Sequence, residues 1–83
     1  MEPRIIYAPS AFKHGVSSEN IRRAVTFHEY EGPLEDDGDR RIVLGFDHNG
    51  NLLEIFYNQL DGRTAKVFHA MKCRSIFYYL LNR

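Results

Sequence analysis

The chain has 83 residues, one cysteine, and 11 basic against 11 acidic residues, so its formal net charge at pH 7 is zero. That length holds one packed domain and not two, because the buried share of the surface falls as chains shorten, and a hydrophobic content of 43% with 13% aromatic residues excludes a disordered chain. Cys73 alone makes neither an internal disulfide nor a structural zinc site, and no apolar run approaches the ~18 residues of a membrane span, so the expectation is one domain over residues 1–83 in the reducing cytoplasm, without leader or membrane anchor.

The neutral charge is segregated. Six of the acids (Glu29, Glu31, Glu35, Asp36, Asp37 and Asp39) fall in one stretch that contains no Lys or Arg, and the rest of the chain holds eleven basic residues against five acidic ones. A basic body carrying an acidic loop presents a positive face despite its zero sum.

In chain order, the apolar stretch Tyr7 to Phe12 leads to Gly15, which suits a helix end because positive φ costs glycine little. Ser17 or Ser18 caps a second helix, with Glu19 in its first turn and Ile21, Ala24 and Val25 at helical spacing. A first strand precedes Gly32-Pro33 and the acidic loop. Ile42, Leu44 and Phe46 then alternate along a strand, Asn49-Gly50 supplies a hairpin turn, and Leu53, Ile55 and Tyr57 alternate along the next. After the Asp61-Gly62 turn, Ala65, Val67, His69 and Met71 alternate opposite Lys66, Phe68 and Ala70. The closing segment from Lys72 places Ile76, Phe77, Leu80 and Leu81 on one face of an amphipathic helix. The expected class is α+β: two N-terminal helices, a four-stranded antiparallel sheet and a C-terminal helix.

Four segments in order carry a resemblance: Lys13-His14-Gly15-Val16-Ser17 opening a helix, the strand Arg41 to Phe46, the hairpin strand Gly50 to Ile55, and Val67 to Arg74 as a last strand running into a basic terminal segment. Together they resemble the BrnT-type toxins of the RelE superfamily over roughly residues 11 to 80. One cation of the family's Ala-Arg-Lys pattern is replaced, by Met71. The resemblance implies the toxin of a type II toxin-antitoxin system, a metal-independent endoribonuclease that arrests translation by cleaving RNA, ribosome-bound or free. It also implies a cognate antitoxin as partner and no cofactor.

Cleavage of that kind needs groups that take and give protons and a cation beside the phosphate. His69, Lys72 and Arg74 supply those types within six residues and are the expected catalytic set. Beside that stands the bland reading: His69 as a strand residue in phase with Val67, and Lys72 and Arg74 as solvated cations. Lys13, His14, Arg22, Arg23 and Tyr78 are candidate RNA contacts; their alternatives are helix-dipole compensation for the first two, solvation for the arginines, and core packing for Tyr78. The acidic run lacks the alternating spacing of a calcium loop, so no metal site is expected. Phe56, Phe68, Tyr78 and Leu81 exceed what one thin sheet covers, which predicts an antitoxin helix or a second copy as a covering partner. The competing function is a non-catalytic interaction module that binds a protein partner, favoured by the neutral charge and by Met71.

Overall fold

In the computed structural model, which describes residues 4–34 and 38–82, five strands form one mixed sheet. They are β1 (Arg4–Tyr7), β2 (Tyr30–Pro33), β3 (Arg40–Phe46), β4 (Leu52–Gln59) and β5 (Thr64–Lys72), in the spatial order β1-β5-β4-β3-β2. Among the described residues there is one α-helix, α1 (Ser18–Thr26), and two stretches of 3₁₀ helix, Pro9–Phe12 and Ser75–Leu81.

The expected class of two N-terminal helices, a four-stranded antiparallel sheet and a C-terminal helix is therefore corrected, and both ends of the chain supply the reason. Ile5 and Ile6 are β-branched and favour extended backbone; they join β5 as a fifth strand, parallel to it, with Ile5 opposite Ala65. Pro9 holds Ala8 extended at φ −73° and ψ 152°, as a residue before proline prefers. The stretch Tyr7 to Phe12 is thereby split between a strand end and one 3₁₀ turn. Gly15 does adopt φ +80°, but the segment it follows is four residues long and not an α-helix. At the other end, Ser75–Leu81 winds with a period of three, so Phe77 and Leu80 share a face and pack with Ile42, Leu44 and Cys73. Ile76 and Leu81, which a period of 3.6 places beside them, are 63% and 39% exposed.

The centre of the sheet follows the alternation. β3, β4 and β5 form an antiparallel meander. In the β3–β4 turn only Gly50 has positive φ, at +80°, and the Asp47 carboxylate accepts the amides of Asn49 at 2.8 Å and Asn51 at 2.9 Å. One face of the sheet carries Val43, Leu53, Ile55 and Val67 against Ile21 and Ala24 of α1. Ser17 starts that helix by accepting the Asn20 amide on its hydroxyl at 3.1 Å. Gly45 lets the helix approach: a Cβ there would lie 2.2 Å from the Ala24 carbonyl oxygen. The opposite face carries Ile42, Leu44, Leu52 and Phe56 and is partly roofed by the 3₁₀ helix Ser75–Leu81. The site lies on this second face.

Candidate functional site

A β-bulge decides which face His69 occupies. Phe56 pairs with His69, but the next residue, Tyr57, pairs with Val67, so Phe68 has no partner across the ladder. Val67 and Ala65 consequently face α1, while His69 joins Phe56 on the other side. The expected phase relation between His69 and Val67 is corrected for this reason: strict alternation ends at the bulge. The His69 ring stacks on Phe56 with centroids 4.3 Å apart.

Two rows along that face lies Glu54, opposite Leu44 and Met71. Its side chain has no solvent exposure, and every oxygen is engaged. Oε2 meets His69 Nε2 at 2.9 Å and Arg74 Nη2 at 2.6 Å. Oε1 accepts the Arg74 backbone amide at 2.9 Å and Nε at 3.0 Å. Burial pushes the Glu54 carboxyl up, but the Arg74 guanidinium, the Arg74 amide and His69 together outweigh it and hold it below the ordinary glutamate value. Glu54 also raises the pKa of Arg74, so both are charged. A buried carboxylate is tolerated when its lone pairs are satisfied in this way. An ionised Glu54 only accepts, so His69 Nε2 carries the proton of the shared bond, and in the neutral ring Nδ1 is the acceptor nitrogen.

The N-terminal segment brings in a second histidine. Ala8 donates its amide to the Val67 carbonyl at 2.8 Å, and the Ser10 hydroxyl donates to the Phe68 carbonyl at 2.6 Å. The 3₁₀ turn is thus fastened to the bulge itself, and the chain leaving it places the His14 ring edge-on to His69, with centroids 5.5 Å apart. Lys13 is exposed beside it. The segment around His14 and the last strand therefore meet, although the two histidines are 55 positions apart in the sequence.

Of the residues expected to be catalytic, the fold brings His69 and Arg74 together through Glu54 and leaves Lys72 apart. Lys72 pairs with Leu53, whose side chain faces α1, so Lys72 belongs to the opposite side of the sheet. Arg22 and Arg23 also lie on the α1 side, lining a hollow of about 320 Å³ with Glu19, Thr26, Phe27 and His48; Arg23 stands 5.2 Å from the Phe27 ring centroid. Tyr78 projects half-exposed from the C-terminal 3₁₀ helix. Of the four aromatic and aliphatic residues expected to be uncovered, Tyr78 and Leu81 are exposed whereas Phe56 and Phe68 are partly buried. Residues 35–37 of the acidic loop lie outside the described residues, and of its carboxylates Asp39 is described. That residue lines a hollow with Glu31, Arg41 and Tyr57, on the α1 side.

Glu54 is the residue that sequence reasoning missed. Its signal was present: a single carboxylate in an otherwise apolar run, Leu52 to Phe56, of a strand with neighbours on both sides. A charge at such a position requires a partner in the folded state.

Among the described residues no helix is long and apolar enough to cross a membrane. No family model, curated protein or solved structure matches the chain.

Proposed function

We propose that the chain is an endoribonuclease, the BrnT-like toxin of a type II toxin-antitoxin pair, which cleaves RNA by attack of the 2′-hydroxyl on the adjacent phosphate. The observation that carries this reading is the pairing of His14 with His69, one of them held by a buried carboxylate. A carboxylate bonded to one ring nitrogen fixes the tautomer and orientation of the ring. His69 Nδ1 takes the proton of the 2′-hydroxyl as its oxygen bonds to phosphorus; protonated His14 delivers a proton to the departing 5′-oxygen as the phosphorus–oxygen bond breaks. The products are a 2′,3′-cyclic phosphate and a 5′-hydroxyl. Arg74, whose Nη1 takes no part in the bonds to Glu54, offers positive charge to the phosphorane. Such a toxin acts in the cytoplasm, on ribosome-bound or free RNA, and is held in check by its antitoxin.

The test is cleavage of single-stranded RNA by the purified chain and growth arrest on induced expression. His14→Ala and His69→Ala should each lose cleavage by about 10²-fold or more while remaining folded. Cleavage by both variants at the wild-type rate would remove the reading.

A second reading is supported by one observation: Arg74 spends Nε and Nη2 on Glu54, and Lys72 lies across the sheet, so little cationic capacity is left for a phosphate. In that case the domain is a non-catalytic module that binds a protein partner or a second copy of itself. Folded protein that neither cleaves RNA nor arrests growth, yet forms a stable complex with the product of a neighbouring gene, would favour it.

A further inference from the structure

We propose that Asn49 is a site of spontaneous covalent modification, at which the folded chain releases ammonia in the β3–β4 turn and is left with an aspartyl or isoaspartyl residue. This assignment is independent of the cleavage reading above.

The chemistry is intramolecular, and water is its only co-reactant. The Gly50 backbone nitrogen attacks Cγ of Asn49, the new carbon–nitrogen bond closes a cyclic imide, and the side-chain nitrogen leaves as ammonia with the proton given up by the Gly50 amide. Water then opens the ring. Breaking the bond from nitrogen to Cγ gives aspartate; breaking the bond from nitrogen to the main-chain carbonyl carbon gives isoaspartate, whose backbone runs through Cβ and Cγ and is longer by one carbon.

Sequence and fold single out this asparagine. Asn49 alone among the asparagines precedes a glycine, whose nitrogen has no neighbouring side chain to hinder its approach. Both residues are exposed, and the space beside Gly50 is open, with nothing within 4 Å of the point where a Cβ would stand. The Gly50 amide proton is held by a bond to the Asp47 carbonyl at 3.2 Å, at the long end of the range for such bonds. Its neighbours in the turn have their side chains fastened. The Asn20 side-chain oxygen accepts the His48 amide at 3.0 Å, and the Asn51 side-chain nitrogen donates to Asp47 Oδ2 at 3.2 Å. Asn49 bonds to Asp47 through its backbone amide, and among the described residues its carboxamide makes no hydrogen bond.

The modification weakens the hairpin. A turn sets the register of the strands it joins, and here Phe46 lies opposite Leu52 at its base. The Asp47 carboxylate spans the turn by accepting the Asn49 and Asn51 amides, while the Asp47 amide donates to the Asn51 carbonyl at 2.9 Å. Either product places a second carboxylate beside that of Asp47, and like charges so close repel. Isoaspartate also lengthens the backbone between residues 49 and 50, so the Gly50 bond to Asp47 and the Asp47 brace cannot all be kept.

The experiment holds the purified, folded chain in neutral buffer at physiological temperature and follows it by intact mass and by peptide mapping that separates aspartyl from isoaspartyl peptides. The small mass gain from exchanging ammonia for water should appear at Asn49 ahead of every other asparagine, with both products present. Asn49→Gln, whose longer side chain closes a larger ring, should slow the reaction at this position by about ten-fold or more and keep the wild-type Tm. The converted chain carries one more negative charge, so ion exchange isolates it, and it should unfold at a lower Tm than the unconverted chain. A folded chain that stays unconverted while the chain in urea converts at Asn49 would show that the turn protects the residue, and would overturn the assignment. Conversion led by another asparagine, or an undiminished mass gain in Asn49→Gln, would overturn it equally. Converted chain with the wild-type Tm would remove the weakening of the hairpin.

Discussion

Glu54 and His69 are joined by a 2.9 Å hydrogen bond between a carboxylate with no solvent exposure and an imidazole that is 20% exposed. The bond links the interior of the sheet to its surface and holds the ring at one nitrogen. Glu54→Gln keeps the shape but removes the charge beside His69. Cleavage should fall by up to about 10⁴-fold, the loss when the carboxylate behind a general-base histidine becomes an amide, with circular dichroism unchanged.

Stability should depend on pH through the same carboxylate. Glu54 titrates below its ordinary value in the fold, so its contribution is fully present above the unfolded glutamate value of about 4.3 and is lost as pH falls through the lower, folded value. Glu31 behaves alike, held down mainly by its hydrogen bond to Arg41 with burial opposing. Thermal unfolding should therefore show a falling Tm below about pH 4. The stability difference between wild type and Glu54→Gln should shrink over that window; a difference that is constant with pH would count against the charged assignment.

Lys72 and Arg74 should separate. Lys72→Ala alters an exposed side chain on the α1 side of the sheet and should leave stability within about 0.5 kcal/mol and cleavage at the wild-type rate. Arg74→Ala leaves Glu54 without its guanidinium partner and should lower both Tm and cleavage. Arg74→Lys should recover charge but not the fork that meets both oxygens, and so should restore stability only in part. Paired unfolding and cleavage curves for the three variants check this.

Ser10→Ala removes the hydroxyl that holds the bulge carbonyl of Phe68. The cost in stability should be about 1 kcal/mol. The effect on cleavage should be larger than that loss of folded protein explains, because the bond also sets where His14 meets His69. Cleavage measured well below the Tm of the variant separates the two effects.

Gly45→Ala should destabilise by about 1–3 kcal/mol or more, since the new methyl would meet the Ala24 carbonyl oxygen. That oxygen belongs to the backbone and yields only if α1 moves off the sheet. Urea unfolding of the variant measures the loss directly.

The local pattern was enough to place α1 and the three-stranded meander, because Ser17 caps, Ile21, Ala24 and Val25 recur at helical spacing, and β3 and β4 alternate without interruption. It also brought His14, His69 and Arg74 into consideration. Three things were decided only by tertiary structure. The short Ile5-Ile6 segment becomes a strand because β5 offers it an edge, a partner that no local window contains. The terminal segment becomes a 3₁₀ helix because Phe77 and Leu80 dock on Ile42 and Leu44, and propensity does not distinguish that from an α-helix. The site itself turns on one unpaired residue, Phe68: the bulge reverses which side chains face α1, takes His69 to Glu54 and His14, and leaves Lys72 on the other side. A period-two reading has no means of registering an inserted residue, because the insertion is defined by the partner strand and not by the bulged one.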